Sequence, residues 1–471
     1  MEKMNLREKI SFKGEWFLPS NEQLRLVGEL TYDPFQGSRL EVHGNFSNSV
    51  IFPSCEKYDI IIGLVEGSRY ITLYDVFLIN SGNVSLVKNA ETSIPNCIYC
   101  VNYFFVDCAI EKVEELSFTQ ANVHFHNLDE WVGISGFRKT YDYDLDKKKV
   151  AVQYKLPKPV KFNLPYEGII ASFNITLECP STCIFTKNIS LNQRTFFCVD
   201  SSSNVPLKSL QNIVACFQQF LILCTYQGTY IDSFTLRHKS SNKFVSFYFN
   251  SFPSDNYKTL LFYDLFIRYS DIRLNFPKIL SRWYDLCDKM GGVLWLYTTR
   301  FLDEKHFSAN DFLNMAQALE SFHSLLYNHS REDESVFKNR LKRIINSVSG
   351  EDKDYIKDRL AQSNTLTLSE RIGELVGKCS PDVLSIFIDD VDLFIKQIRD
   401  SRNYYTHYTK SGKKHILYGV DLAYLTDKIR LLLTCNILVY LKLSKKSIIQ
   451  IFENKKHQFE YLKKATSSAI S

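Results

Sequence analysis

Two different spacings of apolar residues divide this chain of 471 residues. Up to about Phe252, apolar and polar positions alternate in short runs. These are Leu24–Thr31, Arg39–Phe46, Ile60–Leu64, Tyr70–Phe77, Asn102–Cys108, Asn122–Phe125, Val150–Leu156, Ile169–Leu177 and Thr195–Val199. Short runs with a period of two are the mark of strands that bury one face. Between them lie Gly, Pro, Asn and Asp, as in Asp33-Pro34-Phe35-Gln36-Gly37-Ser38, which supply turn geometry. One helix is expected to interrupt this half, from Leu207 to Cys224, before strands resume at Tyr230–Leu236 and Phe244–Phe249. Strands at this density predict a sandwich-like pair of packed sheets.

At Phe276-Pro277 the period changes to three or four. Helices are predicted over Pro277–Phe301, Ser308–Tyr327, Ser335–Val348, Tyr355–Leu360, Ser369–Gly377, Pro381–Tyr408, Tyr424–Leu443 and Lys445–Lys464. Ser308 and Ser380 stand where N-caps belong, the second just before a proline. The expected fold class is α+β: a β-rich domain over residues 1–275, then an all-α bundle over residues 276–471.

The Pro381–Tyr408 stretch carries the most chemistry. Leu384, Phe387, Val391, Phe394 and Ile398 recur along one helical face, and Arg402 follows Ile398 by four. A guanidinium is always charged and costly to bury alone, so this position calls for an anion. His407 lies five residues further on, and imidazoles move protons near neutral pH. Five residues of ideal helix turn through 500°, so the two side chains should diverge by about 140°. A helix end or kink between them, or a second protomer, would let them converge on one phosphate. Asn403 shares a face with His407 and is placed to orient the imidazole. Arg399 adds a second cation one turn before Arg402. The bland alternative is an arginine paired with Asp390 or Asp400 and a surface histidine.

Composition fits this picture. An apolar fraction of 45% and a charged fraction of 23% belong to a globular protein. The longest apolar candidates, such as Leu431 to Leu443, are too short to span a bilayer, and Met1–Phe12 lacks a signal-peptide core. The 12 cysteines are dispersed, as reduced thiols would be, and a cytoplasmic location is expected. Net charge is +5, but from Tyr408 onward there are 12 Lys+Arg against 4 Asp+Glu, leaving 45 against 48 before it. All the positive excess therefore follows the Arg402–His407 segment. Either a polyanionic partner or a solvated helix face accounts for it. Lys410, Lys413 and Lys414 lie directly after the motif, as phosphate-backbone contacts or as a solvated turn.

Other constellations are weaker. Glu320 and His323 share a face of the Ser308–Tyr327 helix, where Glu320 is able to hold Arg402 or Arg399, or the two form an exposed pair. Cys97, Cys100, Cys179 and Cys183 have a spacing compatible with a four-thiolate zinc site, although buried free thiols explain them as well. His124 and His126 share a strand face without an obvious third ligand. No Walker A loop, nucleophile elbow or H-E-x-x-H helix occurs. Neither a cofactor nor a metal is expected.

Arg399-Asp400-Ser401-Arg402-Asn403-Tyr404-Tyr405-Thr406-His407 resembles the signature of HEPN ribonucleases, an arginine followed by a polar residue and, four to six residues on, a histidine. The first half is similar to the N-terminal domain of ApeA-type anti-phage proteins. The similarity lies in Gly14–Pro19, Gly28–Tyr32, Leu40–Phe46, Tyr70–Asp75 and Asn127–Trp131. This resemblance implies an all-α HEPN bundle that cleaves host RNA, tRNA being the expected class, without a metal, in abortive infection. It further implies His407 as acid/base group, Arg402 as electrostatic clamp and Asn403 as a positioning group. The products would be 2′,3′-cyclic phosphate and 5′-OH ends, and the site would form at the two-fold interface of a homodimer. The β-rich half would then sense a phage-derived trigger or restrain the nuclease. The alternative is a non-catalytic HEPN-like module that binds RNA or protein beside a ligand-binding sandwich.

Overall fold

A computed structural model describes residues 5–47, 56–84, 94–142, 149–178, 190–238, 243–250, 258–302, 307–327, 329–350, 352–361, 363–408 and 414–464. The chain divides into two compact units, Met1–Arg273 and Leu274–Ser471.

The first unit is built on one continuous sheet. Its strands are β1 (Ile10–Leu18), β2 (Asn21–Asp33), β3 (Gly37–His43), β4 (Lys57–Val65), β5 (Arg69–Val84), β6 (Ile94–Val106) and β7 (Ser117–Phe125), with the hairpin β8 (Phe137–Asp142) and β9 (Lys149–Tyr154) standing apart. They continue with β10 (Val160–Asn163), β11 (Ile169–Glu178), β12 (Asn192–Pro206), β13 (Ile231–Arg237) and β14 (Phe244–Phe249). Strand order is β10-β11-β12-β7-β13-β14-β6-β3-β2-β1-β4-β5, and β5 returns to pair with β6. Strands β6, β3, β2, β1, β4 and β5 thus close into a barrel. The facing layers anticipated as a sandwich are made by a single sheet curling onto itself, which removes the edges of the barrel portion and leaves β10 as the outer strand. Strand β6 makes the junction possible. Its Asn96–Val101 stretch pairs with β3 and its Tyr103–Val106 stretch with β14, while β5 covers the opposite edge.

Inside the barrel the Trp16 ring is fully buried beside its cross-strand partner Gly63. A Cβ at Gly63 would lie 2.3 Å from that ring, so only glycine lets the two strands approach. Two short helices, α1 (Leu128–Val132) and α3 (Tyr269–Ile272), flank the extension of the sheet, and helix α2 (Leu207–Thr225) packs on β7 and β12. Helix α2 is long and apolar enough to cross a bilayer, yet its buried face forms the core over that sheet, with Phe217 stacked 4.0 Å from Phe197.

The second unit is all-α. It contains α4 (Phe276–Leu302), α5 (Ala309–Leu326), α6 (Glu334–Asn346), α7 (Asp352–Leu360), α8 (Leu368–Lys378), α9 (Pro381–Leu384), α10 (Val391–His407) and α11 (Gly419–Tyr440). Three short helices follow: α12 (Lys445–Glu453), α13 (Lys456–Phe459) and α14 (Tyr461–Lys464). Non-helical Met290, just before Gly291-Gly292, kinks α4. Helix α5 begins with a Ser308–Asp311 capping box and packs on α4, α8, α10 and α11. Helix α11 is buried on nearly every side from Leu422 to Leu438, and the burial takes in Lys428, Arg430 and Asn436 along with its apolar residues.

Two predicted helices are divided in the structure. Lys445–Lys464 forms the three short helices α12, α13 and α14. Pro381–Tyr408 is not a single helix: α9 stops at Leu384, and Asp390 starts α10 by accepting a hydrogen bond from the Leu393 amide at 2.9 Å. Leu384, which ends α9, and Phe387, in the turn that follows, keep the helical spacing because both are buried.

Candidate active site at the end of helix α10

Three helices of the second unit meet at Arg402. The buried face of α10 carries Phe394, Ile398 and Ser401, which seat the helix against α5 and α8. Arg402 lies at the margin of that face, its side chain 37% exposed, not in the core as its spacing suggested. Its Nη2 is 3.5 Å from Glu320 Oε2 on α5, and its Nη1 donates to Asn403 Oδ1 at 3.4 Å. The other Glu320 oxygen accepts from Arg371 Nη1 on α8 at 3.3 Å, and Arg371 also donates to Ser324 Oγ at 2.7 Å. Glu320 therefore bridges two guanidiniums, one of them open enough to meet a phosphate.

The remaining predicted residues divide in their placement. His407 is the last residue of α10 and is exposed. Since α10 runs unbroken between the two, Arg402 and His407 diverge by about 140° and are offset by about 7.5 Å along the axis. No helix end or kink brings them together. Asn403 turns to Arg402, and no hydrogen bond joins it to His407 among the described residues. Arg399 is committed to Asp400, with both Nε and Nη2 at 2.8 Å from Oδ1. Burial works against ionising Asp400, but the Arg399 guanidinium outweighs it and holds the carboxyl below its ordinary range. The other Asp400 oxygen accepts from the His415 amide at 3.3 Å, and Ser401 Oγ accepts from the Leu417 amide at 3.0 Å. These two buried side chains tie the chain returning after the motif onto α10. Lys414 is exposed on that return, whereas Lys410 and Lys413 lie outside the described residues.

His323 does not form an exposed pair with Glu320. It is buried, and its Nε2 lies 2.7 Å from Glu374 Oε2, whose other oxygen is 3.0 Å from His329 Nε2. The His323 hydrogen bond is the main reason the Glu374 carboxyl sits below its ordinary range. Arg371 and Glu374, which no motif marks, also belong here: the strong amphipathicity of α8 places both on the side facing α5.

In the first unit, Cys97 and Cys100 lie three apart on β6 and so point to opposite faces of the sheet, and burial pushes both thiols up. Cys179 and Cys183 lie outside the described residues. His124 is clamped between Asp129 Oδ2 at 3.0 Å and Asp232 Oδ2 at 3.2 Å, while His126 contacts the Lys258 carbonyl. Among the described residues no group of three or more His, Cys, Asp or Glu side chains is arranged to hold a metal.

Residues 11–283 match the family model "ApeA N-terminal domain 1", and residues 313–447 match "Apea-like HEPN". The chain belongs to the ApeA family. The ApeA N-terminal match covers the barrel and its extension and runs into α4, and the HEPN match contains Glu320, Arg371, Arg402, His407 and Lys414. This ApeA-family chain thus carries a C-terminal HEPN domain, the domain type of HEPN nucleases. No curated protein and no solved structure matches it.

Proposed function

We propose that this chain is a metal-independent endoribonuclease of an anti-phage abortive-infection system, acting on host RNA, with tRNA as the expected class, in the cytoplasm. The observation that carries the reading is the held guanidinium of Arg402, braced by Glu320 and left open to solvent at the end of α10, with His407 exposed five residues on. His407 accepts the proton of a ribose 2′-OH as that oxygen bonds to phosphorus. Arg402 stabilises the negative charge that builds on the phosphorane, and the bond to the 5′-oxygen breaks as that oxygen is reprotonated. Glu320 and Asn403 position Arg402.

The unbroken helix between Arg402 and His407 supports a homodimer. In a two-fold arrangement, the arginine of one copy and the histidine of the other close on one phosphate. Lys414, with Lys410 and Lys413, would hold the flanking backbone. The boundary near residue 275 separates this nuclease from a β-rich domain that senses a phage-derived trigger or restrains cutting.

The 3′ ends of RNA fragments test this chemistry. A 2′,3′-cyclic phosphate is expected, because only attack by the ribose hydroxyl produces it. Fragments ending in a 3′-OH would rule the mechanism out, and intact RNA in extracts of infected cells would favour a binding module.

A further inference from the structure

Four tyrosines gather around the end of α10. Tyr404 and Tyr405 occupy its last turn, Tyr408 follows it, and Tyr418 precedes α11. Ring centroids of Tyr404 lie 5.0 Å from Tyr405, 5.7 Å from Tyr408 and 5.6 Å from Tyr418, at interplanar angles of 63° to 75°. Tyr405 anchors the group: its hydroxyl donates to the Leu417 carbonyl at 3.1 Å, and its ring meets Phe312 edge-on at 6.1 Å. The outer rings are open, Tyr408 being 71% exposed and Tyr418 47%.

Tyr408 sits there at a conformational cost. It closes α10 in the left-handed region, φ 53°, where a glycine is the usual helix terminator and a residue with a Cβ is disfavoured. Tyr226 ends α2 in the same conformation, but its ring packs on Phe266 at 5.0 Å inside the first unit. Tyr408 instead presents its ring to solvent, directly after His407. The chain's surplus of positive charge also begins here in the sequence, and Lys414 is exposed ahead of α11.

We propose that Tyr408 and Tyr418, braced by Tyr404 and Tyr405, form a stacking platform for an unpaired base of RNA next to the bond presented to Arg402 and His407. This rests on the ribonuclease reading above. Aromatic rings accept the π-face of any base, but a duplex keeps those faces stacked inside, so the platform selects unpaired nucleotides. Backbone phosphates flanking the stacked base then fall in a region of positive charge.

The test measures equilibrium binding of a fluorescein-labelled 2′-O-methyl oligouridylate, which has no attacking hydroxyl, to the full chain. Tyr408→Gly relieves the left-handed strain, so its Tm is expected at or above wild type while affinity for the oligomer falls about 5- to 150-fold, the loss of one base–aromatic stack. Tyr408→Trp is expected to retain affinity, Tyr418→Ala to lose it, and the same oligomer annealed to its complement to bind weakly to all. Unchanged affinity in Tyr408→Gly would overturn the platform. So would a loss of affinity that accompanies a change from dimer to monomer in sedimentation, since the patch would then be a protein interface. Cleavage that still depends on Arg402 and His407 in a Tyr408→Gly protein of wild-type affinity would sink the platform and leave the nuclease standing. A wild type that neither binds nor cuts RNA would sink both.

Discussion

Replacing Glu320 by alanine should separate the stability of the HEPN bundle from its activity. Two unit charges 3.5 Å apart, the Arg402–Glu320 separation, attract by about 5 kcal/mol at an effective dielectric of about 20. With the side chains 37% and 28% exposed, water screens the pair and offsets most of that. Pairs of this kind contribute about 1 kcal/mol or less net, and the Arg371 contact at 3.3 Å adds a similar amount. The expected loss of about 1–2 kcal/mol corresponds to a Tm decrease of roughly 2–8 °C for a domain of this size. Activity should suffer more, because an unbraced guanidinium samples several rotamers and a misplacement of about 1 Å costs on the order of 100-fold. Cleavage of a fluorogenic RNA under single-turnover conditions should therefore slow by about 10- to 100-fold in Glu320→Ala. Glu320→Gln, which keeps an acceptor oxygen, should fall between it and wild type. If Glu320→Ala cuts at the wild-type rate while Arg402→Ala does not, Glu320 has no positioning role.

Other consequences follow from neighbouring contacts. Arg399→Ala leaves the buried Asp400 carboxylate, among the described residues, with the His415 amide alone, and should cost about 1–3 kcal/mol in urea denaturation with a far smaller effect on cleavage than Arg402→Ala. Ser401→Ala removes the buried acceptor of the Leu417 amide and should speed hydrogen exchange at that amide, at a cost of about 1–2 kcal/mol. In the β-rich unit, burial alone would lower the His124 pKa, but hydrogen bonds to Asp129 and Asp232 push it up to about 9. A folded value above the ordinary imidazole value of 6.5 gives stability that is complete below pH 6.5 and lost as pH rises through 9. The difference is worth about 3 kcal/mol, and protection of β7 amides, corrected for intrinsic exchange rates, should fall over that window in wild type but not in His124→Gln. Mixing Arg402→Ala and His407→Ala proteins, each inactive alone, should restore part of the activity if the site is composite; sustained inactivity of co-refolded chains would contradict the dimeric cleft.

The order of β-rich and helical halves was legible because periods of two and of three to four separate cleanly at Phe276. Barrel closure was not, since the pairing of β5 with β6 and the division of β6 between β3 and β14 depend on long-range register. Strand β1 was less legible because Gly14 leaves its inward face without an apolar side chain between Phe12 and Trp16, although Trp16 and Phe17 are core residues. The break before α10 was hidden by Leu384 and Phe387, which maintain a helical spacing while lying in or beside a turn. At the site, helical spacing offered Glu320 to either Arg402 or Arg399, and the fold brings it to Arg402 from 82 residues away. Arg371 was not legible because its partners Glu320 and Ser324, like the His323 partner of Glu374, lie on α5, and only the packing of α5 on α8 brings them together.

Metal-independent cutting of RNA by Arg402 and His407 is the central claim to test. Cleavage of purified host RNA by wild type, Arg402→Ala and His407→Ala in the presence of EDTA measures this. Full wild-type cutting with EDTA, and a loss of at least about 100-fold in each variant, is the predicted result. Equal cutting by the variants, or cutting abolished by EDTA, would contradict it.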